Sequence, residues 1–288
     1  MKIGIGLPAS IPGVRGELLL EWARKADAAS FSSLGIIDRL VYSNFEPLTT
    51  LSVVAGVTHR IRLMTTVLLA PLRTTGMLAK QAATLDALSG GRLTLGLGVG
   101  VREDDFRAAP SEFHNRGRRF EEQLTTMKRI WSGEPLADDI GPIGPSPARQ
   151  GGPEVLIGGY SPTAIKRVGR WGDGIILGGS GDPNLARQFY SLAQESWQAA
   201  GRGGKLRFVA CMYFGLGPDA AERSAVYIKD YYAFMGQRAE FMANSIPSTP
   251  EAVKHIVQTF TEIGVDELVL WPCIPNLDQV DRLTELLT

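Results

Sequence analysis

The sequence has few of the residues that most often form catalytic and metal sites: its 288 residues include three histidines and two cysteines. Cys211 and Cys273 stand far apart, which excludes a disulfide framework or a cysteine-based metal site and fits a reducing compartment. His59, His114 and His255 have no partner at ligand spacing, so no metal site is expected. A G-x-S-x-G nucleophile motif is also missing.

Charge of one sign and long apolar runs are missing as well. Lys and Arg together number 30, as do Asp and Glu, which gives a formal net charge of zero. A neutral chain gives no electrostatic reason to expect a nucleic acid or an anionic membrane as partner. The N-terminal MKIGIGLPAS lacks the long apolar segment of a signal peptide, and no stretch approaches the roughly 20 apolar residues of a membrane span. We expect a cytoplasmic protein.

Two glycine-rich stretches resemble nucleotide-binding loops but lack the required context. The segment 4–9, GIGLPA, does not open into a helix, because Pro8, Pro12 and Gly13 keep the chain irregular, whereas a dinucleotide fingerprint opens directly into one. In SGGRLTLGLGVG the glycines fall at 96, 98 and 100, which breaks the G-x-G-x-x-G spacing, and no P-loop lysine follows. Gly96, Gly98 and Gly100 instead share one face of a strand, where another group can approach the backbone closely.

Eight short apolar runs alternate with amphipathic segments along the chain. Most are almost continuously hydrophobic, as expected of parallel strands that are buried on both faces. The predicted strands are 2–7, 33–38, 62–70, 92–99, 154–158, 173–178, 207–216 and 267–271. This alternation predicts an α/β protein with a (β/α)8 TIM barrel as a single domain over residues 1–288. A doubly wound open sheet is the alternative.

The intervening segments carry helix signals. Phe120, Leu124, Met127 and Trp131 mark one apolar helix face. Three helices are predicted to begin with a capping side chain followed by proline, at Ser161-Pro162, Asp182-Pro183 and Thr249-Pro250. The least regular segment, 133–153, is rich in Pro and Gly and is interpreted as a flap over one barrel face, with a plain surface connection as the alternative.

Glycine and hydroxyl residues follow strands five and six. IGGYSP (157–162) places two glycines before Ser161, and ILGGSGDP (176–183) repeats the pattern one strand later. Exposed backbone amides, a hydroxyl and a helix N-terminus together form an anion site. We therefore predict phosphate binding here, with two ordinary strand-to-helix turns as the alternative.

Three motifs resemble those of the bacterial luciferase-like monooxygenase superfamily, whose members are flavin- or deazaflavin-dependent oxidoreductases with barrel folds. The first runs from RIRLMTTVLLAPLR to LAKQAATLDALSGGRLTLGLGVG (60–100). The second combines REDDF with FHNRGRRFEE (102–122), and the third is VLIGGYSPTAIKRVGRWGDGIILGG (155–179).

The resemblance implies that an isoalloxazine-type ring lies at the carboxyl-terminal mouth of the barrel, against Thr66 and Val67. Members often have a non-proline cis peptide there, and we predict one between these two residues. Gly98 and Gly100 would leave room for the cofactor. The loop expected to hold the cofactor phosphate consists of Gly158, Gly159, Tyr160 and Ser161, and the residues expected along its ribityl side are Gly178, Gly179 and Ser180.

Two positions depart from the resemblance and leave the cofactor open between FMN and coenzyme F420. Many deazaflavin users have Asp-His after strand two, where this chain has Asp38-Arg39. Bacterial luciferase has an arginine near the end of strand four that helps hold the phosphate, and Val99 stands at the matching place. FMN is slightly favoured because the Asp-His pair is missing. Asp38 and Arg39 become the candidates for polar steering in catalysis.

Other residues near the expected mouth are candidates for contact with the substrate. They comprise four apolar side chains and one histidine just past strand four, namely Pro8, Leu69, Phe214, Trp271 and His114. The predicted function is oxidation or reduction of a small organic substrate, by hydride transfer or by flavin-peroxide oxygenation. The alternatives are a non-redox barrel enzyme acting on a sugar phosphate and a flavin-binding protein without turnover. A flavin reductase as the source of reduced cofactor, and a homodimer, are further expectations of the resemblance.

Overall fold

The predicted strands form a closed barrel in the computed structural model, which describes residues 1–179 and 182–287. Each strand pairs in parallel with its sequence neighbours, and β1 pairs with β8. The strands are β1 (Lys2–Gly6), β2 (Ser33–Ile36), β3 (Arg62–Leu69), β4 (Leu93–Gly98), β5 (Glu154–Gly158), β6 (Gly174–Gly178), β7 (Arg207–Phe214) and β8 (Glu267–Pro272). The (β/α)8 prediction is therefore confirmed.

Helices follow the strands and cover the outside of the barrel. They are α1 (Gly16–Ala28), α2 (Pro47–Val57), α3 (Thr75–Leu88), α4 (Glu103–Ala108), α5 (Arg116–Trp131), α6 (Pro162–Ile165), α7 (Arg167–Trp171), α8 (Pro183–Ala199), α9 (Ala220–Tyr231), α10 (Gln237–Asn244), α11 (Pro250–Glu262) and α12 (Asp278–Leu287). Short 3₁₀ turns lie at Ala70–Leu72 and Ala233–Met235. Over the described chain, no helix combines the length and apolar character that crossing a membrane requires.

The predicted helix signals are confirmed. The side chains of Ser161, Asp182 and Thr249 each accept a hydrogen bond from a backbone amide in the first turn, with proline at the first helical position. The predicted apolar face of α5 is buried against the barrel. Both cysteines are buried and not joined in a disulfide, and they pack as small apolar side chains.

Side chains of each strand alternate between the barrel interior and the surrounding helices. On β7, Val209, Cys211 and Tyr213 belong to the interior cluster, together with Met64 and Trp271 from other strands. The residues that alternate with them pack outward with the helices in the larger core cluster; they are Phe208, Ala210, Met212 and Phe214.

The segment 133–153 follows the flank of the barrel. Lys80 of α3 donates a hydrogen bond to the Gly144 carbonyl at 2.8 Å. Further on, the Ala148 amide donates to Asp86 at the end of α3, at 2.9 Å. These contacts hold the segment against α3, so they favour the surface connection over the flap.

Candidate active site

The third strand carries an irregularity at the carboxyl-terminal end of the barrel. The peptide bond between Thr66 and Val67 is cis, as predicted, and the pairing of β3 with β4 shifts register between Thr65 and Leu68. The bulge brings the β3 backbone toward β4. A Cβ atom on Gly96 would lie 2.1 Å from the Thr65 carbonyl oxygen, so only glycine fits there.

Two glycines make room for the Val67 side chain. A Cβ atom at Gly98 would lie 2.9 Å from Val67 Cγ2, and one at Gly158 would lie 2.7 Å from Val67 Cγ1. The group that approaches the glycine-rich strand is therefore the β3 bulge itself. Gly98 supports the mouth through Val67, and Gly100 adopts a positive φ of 78° in the loop beyond β4.

Trp271 of β8 closes the barrel beneath the mouth. Its indole Nε1 donates to Thr66 Oγ1 at 3.1 Å. The ring occupies the space beside Gly6 and Gly178, where an added Cβ atom would lie 2.6 Å from it in each case. The predicted contact residue Trp271 thus forms a buried apolar floor that is fixed by one hydrogen bond to the bulge.

The loops after β5 and β6 lie side by side at this mouth. Ser161 Oγ accepts from the Ala164 amide at 3.2 Å, which leaves the hydroxyl hydrogen available to an oxygen of a ligand. The Tyr160 hydroxyl donates to the Gly178 carbonyl and so joins the two loops. Gly159 has a φ of +154°, and Gly179 has one of +83°. The predicted site residue Ser180 lies outside the described residues.

The two residues predicted to steer catalysis have structural partners. Asp38 is buried, accepts from the Leu69 amide at 2.8 Å and pairs with Arg73 at 2.7 Å. Burial raises the pKa of Asp38, although the Arg73 guanidinium opposes the shift. Arg39 donates to the Tyr231 carbonyl at 2.8 Å and lies 4.4 Å from the centre of the Tyr42 ring. The structure thus supports a positioning role for both side chains.

The other predicted substrate contacts differ in their placement. Pro8 and Leu69 are buried near the strand ends, and Leu69 packs beside Gly100. Phe214 points outward into the helix-facing core, so its prediction as a wall of the mouth is wrong. A parallel strand that is apolar on both faces does not show which set of side chains faces inward. His114 is exposed and packs edge-on against Phe113 in the loop before α5.

Aromatic hydroxyls at the mouth are the main feature that the sequence reasoning missed. Tyr213 of β7 has its ring centre 4.9 Å from that of Trp271, and its hydroxyl is 3.2 Å from that of Tyr232. Tyr232 follows α9 and packs edge-on against Tyr231. The sequence signal was the pair of adjacent tyrosines in KDYYAF, which follows strand seven.

The opposite end of the barrel has a different chemistry. Arg207 pairs there with Glu154 and with Glu267, and Ser33 donates to Glu267 at 2.6 Å. A cavity of about 690 Å³ opens at this end and is lined mainly by charged side chains, including Arg62. Arg62, Glu154, Arg207 and Glu267 are joined in ion pairs there. This is the face that stabilises TIM barrels, whereas the catalytic loops lie on the other.

Comparison with known families identifies a match along most of the chain. The profile of the family described as luciferase-like monooxygenase matches residues 1–267. A phthiodiolone/phenolphthiodiolone dimycocerosates ketoreductase of Mycobacterium tuberculosis (strain H37Rv) is 34% identical over 161 residues, which cover 51% of this chain and 42% of that protein.

Solved structures share the fold at low identity. An F420-dependent secondary alcohol dehydrogenase, in complex with an F420–acetone adduct, superposes with a TM-score of 0.80 at 17% identity, covering 99% of this chain and 97% of that one. The oxygenating component of 3,6-diketocamphane monooxygenase from Pseudomonas putida, a type II Baeyer–Villiger monooxygenase in complex with FMN, gives a TM-score of 0.76 at 18% identity, with 99% and 95% covered.

Proposed function

This chain belongs to the luciferase-like monooxygenase family and is an oxidoreductase of the flavin- or F420-dependent kind; from that premise we propose that it binds FMN, with coenzyme F420 as the alternative, at the carboxyl-terminal mouth and transforms a small organic substrate there. FMN is preferred over F420 because Arg39 stands where many F420 users have histidine. Its guanidinium is held by the Tyr231 and Val41 carbonyls.

The residues at the mouth fit such a cofactor. Thr66 and Val67 present a bulged edge above the Trp271 floor, against which a flat ring can pack. Ser161 offers its hydroxyl hydrogen, and backbone amides of the loop after β5 could donate to an anion. The Gly179 amide of the neighbouring loop does not, because it donates to the Cys211 carbonyl at 3.0 Å. Because α6 has four residues, the hydroxyl and the amides would contribute more to phosphate binding than a helix dipole.

When bound, the cofactor would supply two-electron chemistry, and a flavin would supply reactivity with O₂ as well. The residues of this chain would position the reactants and exclude water. The buried rings of Trp271 and Tyr213 seal the barrel from below. On one side of the rim, Asp38 fixes the end of β3 through the Leu69 amide, and Asp105 fixes the loop after β2 through the Leu40 amide at 3.1 Å.

The observation that carries the proposal is the support of one bulge from three directions. Gly98, Gly158 and the indole of Trp271 all contact the Thr66–Val67 segment. A non-redox enzyme acting on a sugar phosphate would require a lysine or a carboxylate pair at the strand ends. Asp38 is instead bonded to Leu69 and Arg73, which does not favour that alternative.

Fluorescence titration tests the proposal directly. We expect the purified protein to quench saturably the fluorescence of FMN or of F420, with a dissociation constant in the low micromolar range. Failure to bind either cofactor would overturn the proposal. Oxidation of the reduced cofactor should then accelerate with a carbonyl or alcohol substrate; its constancy over a panel of such compounds would favour a binding protein without turnover.

A further inference from the structure

Two tyrosine hydroxyls meet at the edge of the proposed site. The hydroxyl oxygens of Tyr213 and Tyr232 are 3.2 Å apart. The Tyr213 side chain is fully buried inside the barrel, beside Trp271, whereas Tyr232 is half-buried in the segment after α9. The pair therefore connects the barrel interior to the rim.

Burial determines the direction of this hydrogen bond. A buried hydroxyl hydrogen must be donated to an acceptor, since an unsatisfied one costs about 1–3 kcal/mol. The Tyr232 oxygen is the acceptor that the described residues provide to Tyr213. Tyr213 therefore donates and Tyr232 accepts, so the hydrogen of the Tyr232 hydroxyl stays free for a ligand.

The Tyr232 hydroxyl lies next to the end of β6. It would be 3.6 Å from a Cβ atom on Gly179, the residue that follows this strand. The ring packs between Tyr231 and Phe234, whose ring centres are 4.9 and 6.2 Å away. A polar hydrogen is thus presented at the mouth in an otherwise aromatic wall.

Four other polar side chains of the rim already have partners. Asp38 and Asp105 accept hydrogen bonds from backbone amides of neighbouring loops. The Arg39 guanidinium donates to two carbonyls, and the Tyr160 hydroxyl donates to the Gly178 carbonyl. Tyr232 is therefore the better placed donor for a substrate oxygen.

The rim around this donor exposes several apolar side chains. Leu40 and Val41 expose their side chains while their amides bind Asp105. The Arg102 guanidinium packs 4.5 Å from the centre of the Phe234 ring, next to exposed Val101. An apolar body with one oxygen acceptor matches this combination of surfaces.

We propose that Tyr232 donates a hydrogen bond to the carbonyl oxygen of an apolar ketone substrate, and that Tyr213 is the positioning residue that orients the Tyr232 hydroxyl. The inference rests on the proposed function, since it assigns a substrate class to the same site. Burial raises the pKa of Tyr232 to about 12, which keeps the phenol protonated as a donor at neutral pH. Such a hydrogen bond would bind the ketone and polarise its carbonyl group.

A ketone that changes colour on hydrogen bonding tests the assignment without turnover. The probe is 4′-(dimethylamino)acetophenone, whose absorption moves to longer wavelength when its carbonyl oxygen accepts a hydrogen bond. The control probe is 4-ethyl-N,N-dimethylaniline, in which CH₂ replaces C=O. We expect wild type to bind the ketone with a red shift, and Tyr232→Phe to lose the shift and about 2- to 10-fold in affinity. Affinity for the control probe should not change.

Two further variants separate positioning from folding. Tyr213→Phe should keep ketone binding with a smaller shift, because the Tyr232 hydroxyl loses its orienting partner. Tyr190→Phe is the matched control, since Tyr190 stacks on Phe208 outside the barrel and should behave as wild type. Cofactor titration of each variant verifies that the mouth is folded.

The outcomes distinguish the two proposals. An unchanged red shift in Tyr232→Phe, or no saturable ketone binding by wild type at millimolar concentration, overturns the assignment of Tyr232. Normal cofactor binding alongside either result leaves the proposed function standing. If wild type binds neither FMN nor F420, the proposed function fails and this inference fails with it.

Discussion

The two ends of this barrel are built from different kinds of side chain. At the amino-terminal end, Arg207 joins Glu154 and Glu267 in ion pairs, and Glu267 is 1% exposed. At the carboxyl-terminal end, the interior is closed by Trp271 and Tyr213, and the rim carries glycines and tyrosines. The charged end thus holds strands together. The other end has buried aromatic rings and hydroxyls, and the charged side chains of its rim, such as Asp38 and Arg39, bind neighbouring residues.

The difference shows that cavity size alone does not locate the site. The cavity of about 690 Å³ at the amino-terminal end is lined mainly by charged side chains, several of which are joined in ion pairs between the strands. The carboxyl-terminal mouth has the loops that vary in TIM barrels and the bulge that a flat ligand can contact. Mutations at the two ends should therefore separate stability from binding.

The largest effect is expected from Glu267→Ala, which removes one partner of the buried network. The change removes one of the two carboxylates that pair with Arg207, and it removes the acceptor of the Ser33 hydroxyl. Breaking a buried ion pair in this way costs about 3–5 kcal/mol. Urea unfolding should show this loss in the free energy of unfolding, while cofactor affinity of the folded protein stays within about twofold of wild type.

An exposed ion pair provides the control. Asp281→Asn breaks the pair between Lys25 and Asp281, both of which are substantially exposed, and should cost less than about 1 kcal/mol. Weaker cofactor binding by Glu267→Ala without loss of stability would contradict the division between the two ends.

The next effect is expected at the mouth, from Gly98→Leu. Even a Cβ atom there would come 2.9 Å from Val67 Cγ2, so the larger side chain must displace Val67 and deform the bulge. We expect cofactor affinity to fall at least about tenfold, which is about 1.4 kcal/mol. Overpacking should lower the free energy of unfolding by about 1–3 kcal/mol, so the barrel still folds.

Gly56→Leu serves as the matched control, because Gly56 lies on α2 with open space where a Cβ atom would be placed. It should leave the fluorescence titration unchanged. Normal cofactor binding by Gly98→Leu would mean that the glycine serves core packing and that the bulge does not hold the cofactor.

The sequence predicted the barrel well because burial on both faces of a strand requires apolar residues that can be recognised in the sequence. Parallel strands appear as continuous apolar runs, and capping residues such as Ser161 and Thr249 mark helix starts through local hydrogen bonds. The glycines of β4 were correctly interpreted as sites of close approach. Glycine spacing did not reveal which group approaches them, because that group is the bulge of the neighbouring strand β3.

The site was harder to predict because its contacts join residues far apart in sequence. Asp38 has the residue type and the strand-end position of a catalytic residue, but its partners Leu69 and Arg73 lie more than 30 residues away in the sequence. Tyr213 could not be separated from Phe214, since both belong to one apolar run and only the register of β7 decides which faces inward.

The smallest expected effect is on the loss of folding stability in acid, and it concerns the amino-terminal end. Asp27, at the end of α1, accepts hydrogen bonds from the backbone amides of His59, Arg60 and Ile61 at 2.7–3.0 Å. Burial alone would raise the pKa of Asp27, but these hydrogen bonds hold it below its ordinary value of 3.8. The carboxylate therefore stabilises the fold above that pH, and its contribution is lost as the pH falls through the lowered value.

Urea unfolding at pH 5 and pH 3 measures this contribution for wild type and Asp27→Asn. We expect the free energy of unfolding to fall less between the two pH values in the variant, because the variant has no carboxylate to protonate. Asp138→Asn, at an exposed carboxylate of the connecting segment, should retain the wild-type dependence. Tyr232→Phe should retain it too, because the pKa of Tyr232 is about 12 and its phenol does not titrate in acid. An equal fall in wild type and Asp27→Asn would show that Asp27 does not contribute to the acid sensitivity of the amino-terminal end.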